Sequence, residues 1–118
     1  MALRILVAED EFITAFDLCD TFEEAGYEVQ GPHAGISSAM LACQKERPDV
    51  ALLDIELADG LSLELAQKLL DENVPVILHS DPKDTGALAV RFPGATTLVK
   101  PCPPAELLGA VSRALAPA

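Results

Sequence analysis

The chain has 118 residues, half of them apolar and 23% charged, the make-up of one folded domain with a single core. Eight basic residues against nineteen acidic ones give a net charge of −11 with His neutral. Such a chain repels phosphate backbones and anionic lipid, which argues against nucleic-acid and membrane-surface binding and favours metal ions and basic protein surfaces. The three cysteines, Cys19, Cys43 and Cys102, lack metal-ligand spacing and read as buried or half-buried residues of a reducing compartment. The apolar start at residues 3–8 meets Glu9-Asp10-Glu11 too early for a signal-peptide core. No run approaches the ~20 apolar residues of a membrane span, so a cytoplasmic protein is expected.

Short β-like runs alternate with longer helical ones. Residues 3–8 (LRILVA) are nearly all apolar, as in a strand covered on both faces. Phe12, Phe16, Cys19 and Phe22 are spaced for one helix face and are expected in the core, with Gly26 closing the helix. Residues 28–30 read as a weak second strand, closed by Gly31-Pro32. Ile36, Ala39, Met40 and Cys43 mark a second helix, and Pro48 follows it. Residues 50–53 (VALL) form a short apolar run ending at Asp54, the expected central strand. Leu61, Leu65, Ala66, Leu69 and Leu70 make a third helical stripe. Residues 74–78 (VPVIL) are the fourth strand, with proline near its start. The stretch 82–91 is a poor helix, holding Gly86 and bounded by Pro82 and Pro93, and is expected to be short or mobile. Residues 96–99 are the fifth strand, and Leu107, Leu108, Val111 and Leu115 place a last helix entered through Pro103-Pro104. Five β/α pairs with short connections imply an α/β domain over residues 1–118. Its expected form is a doubly wound, flavodoxin-like parallel sheet of order 2-1-3-4-5 with helices on both faces.

Ligands in such sheets sit at the carboxyl ends of the strands, near the switch in strand order. There the sequence offers Glu9 and Asp10 after strand one and Asp54, Ile55 and Glu56 at strand three. Ser80 follows strand four, and Lys100-Pro101 follows strand five. Three converging carboxylates repel one another unless a cation joins them, and an all-oxygen set points to Mg²⁺. Lys100 adds fixed positive charge, and Ser80 a hydroxyl able to donate to a phosphoryl oxygen. A carboxylate between a metal, an ammonium and a hydroxyl is arranged to accept a phosphoryl group, and Asp54 is the best-placed nucleophile. Singly each residue is an ordinary loop acid, helix cap or turn; together, each at a strand end on one sheet edge, they form a pattern that chance rarely supplies.

Through Glu9-Asp10, Leu52-Leu53-Asp54-Ile55, Ser80 after residues 75–79 (PVILH), and Gly94-Ala95 leading to Lys100-Pro101, the chain resembles the receiver domain of bacterial two-component response regulators. The resemblance spans the chain and suggests a stand-alone receiver of the chemotaxis-regulator type. It implies Asp54 as phosphoacceptor, served by a sensor histidine kinase or a histidine phosphotransfer protein. It implies Mg²⁺ held by Asp10, Asp54 and the backbone carbonyl of Glu56, with Glu9 acting through a water. Ser80 and Lys100 would bind phosphoryl oxygens, and Lys100-Pro101 would be cis. The phosphoryl transfer and its hydrolysis would be self-catalysed, within a signalling protein that acts on a downstream protein as a monomer or weak homodimer.

Three departures from the family pattern fall on the expected output face, residues 81–118. Thr97 stands where the family usually has an aromatic ring that moves on activation. Asp81 replaces the usual small residue after the hydroxyl. The stretch from Ser80 to Lys100 is short, and its helix is weak. The acceptor chemistry is thus expected intact and the switch atypical, with phosphorylation reordering residues 81–97. Glu56 and Asp81 are placed to alter the phosphate's lifetime. His33 and His79 have no evident partner.

The main alternative is a receiver-fold binding module that signals without phosphorylation. A Toprim-like metal-dependent nucleic-acid enzyme would match Glu9 and Asp54-Ile55-Glu56 but not the net charge, Ser80 or Lys100-Pro101. A dehalogenase-type phosphatase would carry its aspartates after strand one. A flavin binder would carry a Ser/Thr-rich loop where this chain has Glu-Asp-Glu.

Overall fold

In the computed structural model, which describes residues 2–116, the apolar runs assemble into one parallel sheet. The elements, in chain order, are β1 (Arg4–Ala8), α1 (Phe12–Glu24), β2 (Glu28–His33), α2 (Ile36–Lys45), β3 (Val50–Asp54), β4 (Glu56–Leu57), β5 (Gly60–Leu61), α3 (Leu63–Asp71), β6 (Val76–Ser80), α4 (Pro82–Arg91), β7 (Thr96–Val99) and α5 (Pro104–Leu115). The large sheet runs β2-β1-β3-β6-β7, the doubly wound order expected once the small β4–β5 hairpin is set aside. Of residues 81–118, the expected output stretch, positions 117 and 118 lie outside the described residues.

Alternation along each strand divides the core in two. Val50 and Leu52 of β3 face Leu18, Cys19 and Phe22 of α1 and Leu107, Ala110 and Val111 of α5. Ala51 and Leu53 face Ala39 of α2, Leu65, Ala66 and Leu69 of α3, and Leu88 of α4. Every residue of β3 and β6 is buried, as expected of parallel strands covered on both sides. Each large apolar side chain buried this way contributes about 1.5–3 kcal/mol.

Several elements differ from their expected form. Phe12 and Phe16 are not core: they are 73% and 48% exposed, and α1 buries Ala15, Leu18, Cys19 and Phe22 instead. That inner stripe has i, i+3, i+4, i+7 spacing and points at the sheet, while the two phenylalanines lie beside it, ring against ring at 4.6 Å. The strand at 28–30 does not stop at Gly31-Pro32 but continues through that cis peptide to His33, with a register irregularity against β1. Gly31 has φ +125°, and a Cβ there would meet the Val7 carbonyl oxygen at 2.7 Å, so only glycine fits. Leu61 is exposed in β5 rather than on α3. The fourth strand begins two residues later than expected, at Val76, and runs to Ser80. The stretch 82–91 forms a regular ten-residue helix despite Gly86.

Candidate functional site

The strands deliver the polar residues to one edge because each ends where its apolar run ends. Glu9 follows β1 directly and is 2% exposed, an unusual place for a carboxylate. Asp54 closes β3, and its backbone is held from below: the buried Ser62 hydroxyl donates to the Asp54 carbonyl at 2.6 Å. The Ser62 N–H donates to the Ile55 carbonyl, so the β4–β5 hairpin folds back against the end of β3. Ser80 ends β6, and its carbonyl accepts from the Lys100 N–H at 2.8 Å, which carries the β6–β7 pairing to the edge.

Lys100 reaches across the edge and donates to Asp54 Oδ2 at 2.8 Å and Glu9 Oε1 at 3.0 Å. One ammonium thus bridges the ends of β1 and β3. Burial, and next the neighbouring Asp54 carboxylate, push the Glu9 carboxyl up to about 7, against the opposing pull of Lys100 and the Glu11 N–H. For Lys100, burial favours the neutral form, but its bonds to Asp54 and Glu9 outweigh it and raise the pKa.

Carboxylate oxygens of Glu9, Asp10 and Asp54 lie within 4.8 Å of one another. The Asp10 carboxylate is exposed at the mouth of the site. A compact, all-oxygen group with an open side fits a hard divalent cation that keeps several waters. The site is a cavity of about 180 Å³ walled by Glu9, Asp10, Glu11, Asp54, Ile55, Glu56, Ser80, Asp81, Asp84 and Lys100. Seven of these ten residues are acidic, against one lysine.

The predicted residues Glu9, Asp10, Asp54, Glu56, Ser80, Asp81 and Lys100 therefore meet in one cavity. Thr97 and Pro101 are not on its wall: Thr97 is half-buried in β7 opposite Leu78, and Pro101, after a cis bond, borders the adjoining cleft. That cleft, about 500 Å³, lies between α1 and the start of α5 and shares Glu11, Asp81 and Lys100 with the acid cavity.

Sequence reasoning missed Glu11, Asp84, Ser62 and Thr85. Glu11 completes the acidic run after β1, and its N–H donates to Glu9 Oε2. Asp84 arrives in the first turn of α4, a position visible only once that helix is granted. Ser62 lies eight residues past Asp54 and reaches it only through the hairpin. Thr85 reaches the Ser80 hydroxyl from α4, at 3.2 Å.

His79 pairs in register with Asp54 and is buried, with both ring nitrogens lacking a hydrogen-bond partner. Burial and then Lys100 lower its pKa, and Asp54 opposes them.

The comparisons with known proteins bear on the family and the fold. A family model described as the response regulator receiver domain matches residues 5–112. The phyllosphere-induced regulator PhyR of Methylorubrum extorquens is 36% identical over 118 residues, covering 98% of this chain and 44% of its own length. The sporulation initiation phosphotransferase F of Bacillus subtilis is 30% identical over 96 residues, covering 72% of this chain and 77% of its own. The chain thus spans roughly half the length of PhyR and of the mycobacterial regulator PdtaR. A putative response regulator from Chloroflexus aurantiacus superposes with a TM-score of 0.88 at 27% identity, over 99% of this chain and 100% of the other. Among the described residues no helix is long and apolar enough to cross a membrane. With the family model over most of its length and acidic and basic strand ends gathered on one sheet edge, the chain belongs to the response-regulator receiver family.

Proposed function

We propose that the chain is a phosphoreceiver in which Asp54 accepts a phosphoryl group from a phosphohistidine of a sensor kinase or phosphotransfer protein. The supporting observation is the Lys100 bridge, which fixes an ammonium 2.8 Å from the Asp54 carboxylate inside an otherwise acidic cavity. In the transfer, a carboxylate oxygen of Asp54 attacks phosphorus in line and the P–N bond breaks. The histidine leaves with that electron pair, and an acyl phosphate forms on Asp54. Attack of water on that phosphorus returns the carboxylate and releases inorganic phosphate.

Lys100 is within reach of both the carboxylate and an incoming phosphoryl oxygen, so it neutralises charge before and after transfer. The Ser80 hydroxyl donates to a second phosphoryl oxygen. Glu9 holds the other side of the ammonium in place, besides any role through a metal-bound water. Asp10, Asp54 and the Glu56 carbonyl are the residues that would hold Mg²⁺, which supplies the positive charge that lets anionic donor and acceptor approach.

A protein donor has a surface to meet. Phe12 and Ile13 are 73% and 71% exposed on the first turn of α1, directly after the site residue Glu11. An apolar patch beside an acid-rimmed cleft suits a partner that presents apolar and basic residues around its phosphohistidine. Output is assigned to the 81–118 face, where Thr97 replaces the usual aromatic ring and Asp81 adds charge at the mouth.

Intact mass after incubation with acetyl phosphate tests the reading. The expected outcome is a Mg²⁺-dependent gain of one phosphoryl group in the wild type and none in Asp54→Asn. A gain that persists in Asp54→Asn would move the acceptor elsewhere. No gain in the wild type would favour a binding module that signals unmodified.

A further inference from the structure

The Ser80 hydroxyl has one proton and two claims on it. Ser80 is 2% exposed, and its Oγ lies 3.2 Å from Oγ1 of Thr85 on α4. Thr85 Oγ1 donates its own proton to the Asp81 carbonyl at 3.1 Å. A hydroxyl carries a single proton, so the bond between the two side chains is donated by Ser80. The proton needed for a phosphoryl oxygen is therefore committed to α4.

The helix at the other end of that bond is lightly held at its start. Asp81 caps α4 without a side-chain hydrogen bond, and Gly86, the residue after Thr85, has open space around its Cα. Among the described residues no other side-chain hydrogen bond joins α4 to the sheet. Thr97, in the place of the family's aromatic ring, makes no side-chain hydrogen bond to Ser80.

We infer that Thr85 is a positioning residue that holds the Ser80 hydroxyl away from the phosphoryl site and carries phosphorylation into α4. The inference rests on the acceptor reading above. When the phosphoryl group arrives, Ser80 turns its proton to it, the bond to Thr85 breaks, and the first turns of α4 lose their tie to β6. Linkage makes the coupling reciprocal: removing the Thr85 acceptor favours the phosphoryl-bound state by the factor that binding loosens α4.

Beryllofluoride binding with Mg²⁺ measures that factor. Thr85→Val keeps the shape and removes the hydroxyl, and one neutral hydrogen bond sets the expected gain at about two- to tenfold tighter binding. Thr85→Ser is expected to restore the wild-type affinity. In a Ser80→Ala background, Thr85→Val is expected to change nothing, which separates competition for the proton from a general effect on α4. Amide exchange in 82–91 is expected to rise on beryllofluoride binding in the wild type and to be raised already in Thr85→Val. Equal or weaker binding by Thr85→Val, or a gain that survives Ser80→Ala, would overturn the assignment while leaving the acceptor reading intact. A wild type that binds no beryllofluoride would overturn both.

Discussion

At the β1–β3 end of the sheet edge, the site is held by charge and held repeatedly. Lys100 joins Glu9 to Asp54, the Glu11 N–H donates to Glu9, and Ser62 fixes the Asp54 carbonyl from below. At the β6–α4 end, one bond between neutral hydroxyls joins Ser80 to a helix with a glycine in its middle. Charge-assisted bonds are roughly twice as strong as neutral ones, and several together outlast the loss of any one. The Asp54 end is thereby the more firmly held of the two, and the α4 end the more lightly held. Local openings that serve signalling are drawn from the less stable parts of a fold, and here the lightly tied helix lies beside Ser80, the residue proposed to bind the phosphoryl group.

The largest break in this contrast should come from Lys100→Ala, which leaves Glu9 and Asp54 facing each other without their shared cation. We expect a loss of about 3 kcal/mol in urea denaturation without divalent ions, and recovery of part of it on adding Mg²⁺. A loss no greater than that of an exposed ion pair, below about 1 kcal/mol, would show that the β1–β3 end is not held by this bridge.

The next effect is on pH. Glu9 is raised from 4.5 to about 7 in the folded chain, so folding takes up a proton between these values. Below about 4.5 the group is protonated in both states and contributes nothing against folding; as pH rises through 7, that relative stability is lost. Without metal, the protein should be more stable at pH 5 than at pH 8 by roughly 2 kcal/mol from this group, measured by urea midpoints. Glu9→Gln should flatten the profile over that window.

The smallest effect sharpens the comparison from the soft side. A Cβ at Gly86 meets nothing within 4 Å, so Gly86→Ala should stabilise α4 by about 0.5–1 kcal/mol. Slower amide exchange confined to 82–91, with the acid edge unchanged, is the expected reading. Protection that spreads to the ends of β1 and β3 would show that the two ends are not separable.

What the sequence made legible follows from which signals are local. Residues 50–53 and 96–99 announce their strands because unbroken apolar runs between turn residues have few other uses. The acid edge was legible because strand ends in a parallel sheet fall on one side, so Asp10, Asp54, Ser80 and Lys100 need no detailed packing to converge. Phe12 and Phe16 were misplaced because spacing alone cannot tell a core stripe from an apolar patch beside it. The β4–β5 hairpin was invisible because two-residue strands carry no period, and with it went Ser62's hold on Asp54. The regular helix at 82–91 went against propensity: Leu88 and Phe92 are buried against the sheet, and that burial outweighs one glycine. Thr85 could not be found from sequence, because its meaning lies in a neighbour's proton.

Lys100 also settles a matter of symmetry. A free carboxylate has two equivalent oxygens, because its charge is shared over the O–C–O unit. By donating to Oδ2 of Asp54 and not to the other oxygen, the ammonium makes the two distinct. One oxygen is thereby marked by the protein, and on the acceptor reading proposed above the two oxygens of Asp54 are not interchangeable.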